Sequence, residues 1–96
     1  MMILALERDV PGADPAKFAP RLAAEAQAVW QLSQEGTIRE IYFRRDRKAA
    51  VLLLECGTPE AARKVLASLP LAREGLIDFE IIALRPYDGF ARLFSD

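Results

Sequence analysis

The stretch AAVLLLEC, Ala49 to Cys56, constrains the fold more than any other part of this chain. Side chains of a strand alternate between two faces, so Ala49, Val51 and Leu53 point one way and Ala50, Leu52 and Leu54 the other. Both sets are apolar. A sheet with one wet face alternates polar and apolar residues, so this strand implies burial on both sides. Helices of the same chain cover one face, and a second subunit is the simplest cover for the other.

The flanking segments supply the rest of the architecture. Met2 to Glu7 reads as a short apolar strand closed by Arg8 and Asp9, and the cluster VPGADP then resists regular structure. Asp14 is suited to cap a first helix and Pro15 to open it. That helix runs to Gln34 and ends at Gly36. Pro20 is its awkward residue, which either bends it or moves its start to about Ala19 and leaves Phe18 outside. Thr37 to Arg45 and Ala49 to Cys56 form a hairpin across the polar turn RDRK. Thr58, Pro59 and Glu60 then start a second helix with apolar residues Ala62, Val65, Leu66 and Leu69, and Pro70 stops it. Leu76 to Leu84 is the last strand.

The order is βαββαβ, an α+β, ferredoxin-like arrangement in which two helices pack on a four-stranded antiparallel sheet. Residues 1–96 make one domain, and with 52% hydrophobic and 28% charged residues the chain is globular rather than disordered. The tail, residues 85–96, carries Phe90, Leu93 and Phe94. These have no place in a core of four strands and two helices, so they are expected to pack on a neighbouring subunit.

Charge and cysteine content narrow the function. A net charge of −1 gives no overall field for nucleic acid or an anionic membrane, and neither partner is expected. No apolar run approaches a membrane span, and MMILALERD lacks the basic flank and cleavage site of a signal peptide, which points to a cytoplasmic protein. One cysteine and no histidine make a metal site improbable. Cys56 reads as a small hydrophobe, and Arg44 to Lys48 as a solvated turn without stacking aromatics.

Glu25 is the residue that does not fit. Phe18, Leu22, Glu25, Val29 and Leu32 step by four and three along the first helix and fall within an arc of about 80°, which places a carboxylate on the apolar stripe. Desolvation raises the pKa of such a group toward the range useful for taking and returning a proton. The alternatives are a carboxylate that snorkels past Ala26 and Ala28 and one held in a structural ion pair. Trp30, about 100° from the stripe centre, lies either at a pocket rim or at a subunit contact.

EGTIRE, the aliphatic strand ending in an acid, ASLPL and IDFEI, with DPAK and the Glu25 position upstream, together resemble the muconolactone isomerase family. The resemblance runs without gaps from about Asp14 to Leu71. It implies a dimeric α+β barrel, two sheets packed face to face, sometimes building larger rings. It further implies a small-molecule pocket between sheet and helices, where the family moves a proton within an unsaturated lactone carrying a carboxylate, with no cofactor. On this likeness Glu25 is the catalytic base. Arg39, whose planar fork suits a carboxylate, binds the substrate, and Trp30 lines its pocket. The structural alternative for Arg39 is a solvent-exposed arginine or a partner of Glu25. Where the family carries histidine and further polar groups on its central strands, this chain has Glu40 and AAVLLL. That departure admits a greasier ligand, a cofactor-independent monooxygenase, or a non-catalytic binding or assembly module of the same fold.

Overall fold

The computed structural model describes residues 1–94; Ser95 and Asp96, the end of the expected tail, lie outside the described residues. Four strands form one antiparallel sheet: β1 (Met2–Asp9), β2 (Ile38–Phe43), β3 (Ala50–Glu55) and β4 (Ile77–Ala83), in the spatial order β2-β3-β1-β4. Helices α1 (Leu22–Gln34), α2 (Pro59–Ala67) and the short α3 (Pro70–Arg73) complete the βαββαβ order on one face. The fold is the expected α+β, ferredoxin-like one.

Register decides which parity of the double-sided strand faces the helices. Leu52 and Leu54 lie opposite Ala5 and Ile3 across the β1–β3 ladder, and all four are essentially buried, together with Ala62, Leu66 and Leu69 from the helical layer. Val51 and Leu53, paired with Leu6 and Leu4, therefore occupy the opposite face and are only partly covered. Ile82, the partner of Leu4 on β4, stands on the same face and is 37% exposed. A strip of aliphatic side chains thus crosses the middle of the sheet on the side away from the helices. It is flanked by the Arg8–Asp78 ion pair (3.0 Å) and by Tyr42, whose hydroxyl donates to Glu40 (2.6 Å).

The first helix departs from its expected start. Asp14 caps as predicted, its carboxylate accepting from the Ala16 N–H (3.0 Å), but the element it opens is a single 3-10 turn, Pro15–Lys17. A second 3-10 turn, Ala19–Arg21, contains Pro20, and regular α-helix begins only at Leu22. Proline offers no N–H for an i to i−4 bond and crowds the preceding turn, so the α ladder cannot pass through it. Phe18 is left outside, as the Pro20 alternative required. At the other end Gly36 adopts φ +84°, with its N–H on the Ser33 carbonyl and the Thr37 N–H on that of Leu32, a Schellman closure that needs a left-handed residue. Thr58 caps α2 through the Ala61 N–H (3.1 Å) with Pro59 at the first helical position. Pro70 ends that helical course and opens α3.

The tail folds as a 3-10 stretch, Gly89–Phe94, with Tyr87 and Phe90 in an edge-to-face contact at 4.9 Å. Phe90, Leu93 and Phe94 stand 66%, 75% and 85% exposed. The chain measures 60 × 28 × 22 Å with a radius of gyration of 15.8 Å, whereas a compact chain of this length has about 12–13 Å.

These two uncovered apolar surfaces lead to a direct test of assembly. Sedimentation at micromolar concentration should show the wild type as a dimer or larger, because each apolar Å² left in water costs about 25 cal/mol. Leu53→Asp should give monomer or aggregate with the fold retained, and removal of the residues after Tyr87 should weaken association. Leu52→Asp, at a position 1% exposed beneath the helices, should instead unfold the chain by several kcal/mol. A compact wild-type monomer would refute the second-subunit cover.

Candidate functional site

None of the residues of α1 is fully buried. Leu32, Val29 and Ala28 pack on the main core, but the N-terminal half of the stripe stands clear of the sheet. Between them opens a cleft of about 1160 Å³, bounded by α1, the turn after β1, the open end of β1 and the β2–β3 hairpin. Phe18, Leu22, Val29, Ile41, Phe43 and Leu71 provide its apolar wall. The stripe that should meet a core therefore meets a cavity large enough for a small organic ligand.

Glu25 projects into this cleft. Its Oε1 accepts the backbone N–H of Leu71 (2.9 Å), a donor in the first turn of α3 that no side chain at Leu69, the cap position, can satisfy. Its other oxygen has no hydrogen-bond partner among the described residues. Burial raises the Glu25 pKa above the ordinary carboxylate value, and the Leu71 hydrogen bond offsets part of that rise. No ion pair joins Glu25 to Arg39 among the described residues, so the carboxylate is not tied to that guanidinium.

A second carboxylate, absent from the sequence reading, faces the same space. Glu7 follows Ile3 and Ala5 on the helix-facing parity of β1, and its Oε1 accepts the Ala50 N–H (3.3 Å). Burial raises its pKa; the Ala50 hydrogen bond lowers it, the charges of Asp9 and Glu25 push it up again, and Lys48 pulls it slightly down. Asp9 and Lys48 also line the cleft, and the Lys48 ammonium sits 5.8 Å from the centre of the Phe43 ring. The signal for Glu7 was parity: with Ile3 and Ala5 inward it had to point inward too, but MILAL is apolar at both parities and hides which set that is.

The other sequence candidates fall as follows. Trp30 lines the cleft at its edge and is 64% exposed. Arg39 is exposed at an irregularity of β2, where pairing jumps from Ile38–Leu54 to Glu40–Leu53 and leaves it as the extra residue; it is not among the residues lining the cleft. Glu40 and Tyr42, paired with Leu53 and Val51, take the far face. Arg44 is bound bidentately by Asp46 at 2.9 and 2.7 Å within the hairpin turn. Cys56 is partly buried beside the core, and burial pushes its thiol pKa up, away from nucleophilic use. Among the described residues no cluster of three or more His, Cys, Asp and Glu could hold a metal ion, and no helix is long and apolar enough to cross a membrane.

No family model matches the sequence, and no curated protein matches it. Solved structures do. The crystal structure of a 5-chloro-2-hydroxyhydroquinone dehydrochlorinase from Burkholderia phenoliruptrix AC1100, in complex with 2,5-dihydroxybenzoquinone, aligns with a TM-score of 0.72 over 93% of this chain and 98% of that one; at 15% identity this is likeness of fold alone. The crystal structure of muconolactone isomerase aligns with a TM-score of 0.75 at 26% identity over 92% of each chain. The chain has the ferredoxin-like fold of muconolactone isomerase along nearly its whole length.

Proposed function

We propose that this protein is a cofactor-free isomerase that moves a proton within a small unsaturated lactone or related carbonyl compound. The observation that carries the reading is Glu25: a half-buried carboxylate with a raised pKa, one oxygen fixed by the Leu71 N–H and the other unpartnered, in an apolar cleft. The similarity to muconolactone isomerase supports it.

The chemistry needs little more than one such base. Glu25 takes a proton from a carbon made acidic by the conjugated carbonyl, and the electron pair of the broken C–H bond delocalises onto the carbonyl oxygen. The negative charge passes from Glu25 to the ligand, so the cleft's total charge is unchanged as the enolate forms. Among the described residues Lys48 is the one cationic side chain lining the cleft and the natural neighbour for that oxygen. The protonated Glu25 then returns its proton to another carbon of the conjugated system, which shifts the double bond without redox change. Leu71 fixes the carboxylate through both transfers, and Trp30 borders the ligand at the mouth.

One observation favours a second reading. Because Glu25 also satisfies an otherwise unpaired donor of α3, its position has a structural use without catalysis, and the cleft then serves a non-catalytic binding module of the same fold.

Deuterium incorporation into a butenolide such as angelica lactone in D₂O, followed by proton NMR, separates the two readings. Wild type should exchange and isomerise the lactone, and Glu25→Gln, which keeps an oxygen for the Leu71 N–H, should lose at least about a hundredfold in rate while remaining folded. Binding without exchange by the wild type would favour the module, and unchanged turnover in Glu25→Gln would reject Glu25 as the base.

The raised pKa also fixes a sign for stability. A carboxyl group that holds its proton more tightly folded than unfolded makes stability fall as pH rises from the ordinary carboxylate range through the raised folded value. Glu25→Gln lacks that loss. Its melting temperature relative to wild type should therefore rise between pH 4 and pH 7, whereas Glu25→Ala, which strands the Leu71 N–H, should cost about 1–2 kcal/mol at pH 7. A Gln variant that weakens relative to wild type as pH rises would contradict the shift.

A further inference from the structure

The charges around the cleft restrict what it can hold. Glu7 and Asp9 reach it from β1 and Glu25 from α1, three carboxylates against one ammonium, Lys48 in the hairpin turn. Other nearby cations are engaged elsewhere or lie outside the lining. Arg8 is paired with Asp78 across the far face of the sheet, Arg44 is held by Asp46, and Arg21 donates to the Lys17 carbonyl (2.8 Å) and pairs with Glu74 (3.4 Å). Arg39 is exposed in the β2 irregularity. Tyr42, at the rim, gives its hydroxyl proton to Glu40.

A carboxylate on a ligand would find no guanidinium fork among the lining residues and would sit among like charges in a partly dry space. A single like charge about 7 Å away, at an effective dielectric constant near 20, weakens binding by roughly tenfold or more. The apolar wall rewards the opposite kind of molecule: Val29, Ile41, Phe43 and Leu71 offer burial to an uncharged hydrocarbon body, and the Lys48 ammonium offers one donor to a carbonyl oxygen.

We propose that the cleft takes uncharged unsaturated carbonyl ligands and excludes their carboxylate-bearing counterparts. This rests on the cleft being the ligand site named under the proposed function, and it is independent of whether Glu25 acts as the base. It separates this protein from an enzyme built for an anionic lactone, because among the described residues the wall holds no guanidinium, offers a single ammonium and carries two glutamates.

The test uses two probes of one skeleton, muconolactone and its methyl ester, titrated into the full-length protein. Trp30 is the only tryptophan and lines the cleft, so its fluorescence reports occupancy. At pH 7 the ester should bind at least tenfold more tightly than the free carboxylate. That gap should narrow toward pH 5, as the cleft glutamates take up protons, and in Glu7→Gln, which removes one repelling charge and leaves Glu25 in place. Equal or tighter binding of the carboxylate at pH 7 overturns the proposal, as does a failure of the ester to bind at millimolar concentration. Deuterium exchange on whichever probe binds keeps the two claims apart: ester selectivity without exchange sinks the base and leaves the selectivity, whereas tight carboxylate binding with exchange does the reverse.

Discussion

The hydrogen bond from the Leu71 N–H to Glu25 Oε1 joins residues 46 positions apart in sequence and ties α1 to α3 at the open end of the helical layer. The first turn of α3 has an orphan donor and no cap of its own, and a carboxylate on α1 supplies the acceptor. Both residues line the cleft, so the bond spans part of its wall. The contact fixes the direction of the Glu25 carboxylate, while burial in the cleft desolvates it. Structure and chemistry thus compete for one side chain: the hydrogen bond lowers the pKa that burial raises, and burial prevails.

The rest of the cleft follows from where the core stops. Ile3 and Ala5 meet Leu52 and Leu54 under α2, and the buried register is complete by the middle of β1. Further along, the same parity carries Glu7 and then Asp9, so polar groups take over where the helices no longer cover the sheet. On the sheet's opposite face Leu4 and Leu6 meet Leu53 and Val51 in a central apolar strip, which gives way to Arg8 along β1 and to Glu80 beside Leu6 on β4. The two faces divide the work, one holding a ligand-sized space and the other available to a partner.

Much of this was legible in the sequence, and the failures have identifiable causes. Strand positions, the Thr58 and Pro59 start, the Gly36 stop and the oddity of Glu25 all came from local pattern, because caps, turns and periodicity are local physics. The parity of AAVLLLEC was not, since Ala50 and Val51 are equally apolar and only pairing with β1 chooses between them. For the same reason Glu7 stayed hidden behind MILAL. Lys48 was lost inside RRDRK, where composition says solvated turn and only the fold of the hairpin brings its last residue to the cleft. Strict alternation could not foresee the irregularity at Ile38 and Glu40, which makes Arg39 the unpaired extra residue of β2.

The central claim is that a half-buried Glu25 holds its proton above the ordinary carboxylate range in the folded protein. Carbon-detected NMR titration of the glutamate side-chain carboxyls, with Glu25 assigned by comparison with Glu25→Gln, measures this directly. The account predicts midpoints above 4.5 for both Glu25 and Glu7. A Glu25 midpoint at or below 4.5 would mean that the Leu71 hydrogen bond outweighs desolvation, leaving a structural cap and no base.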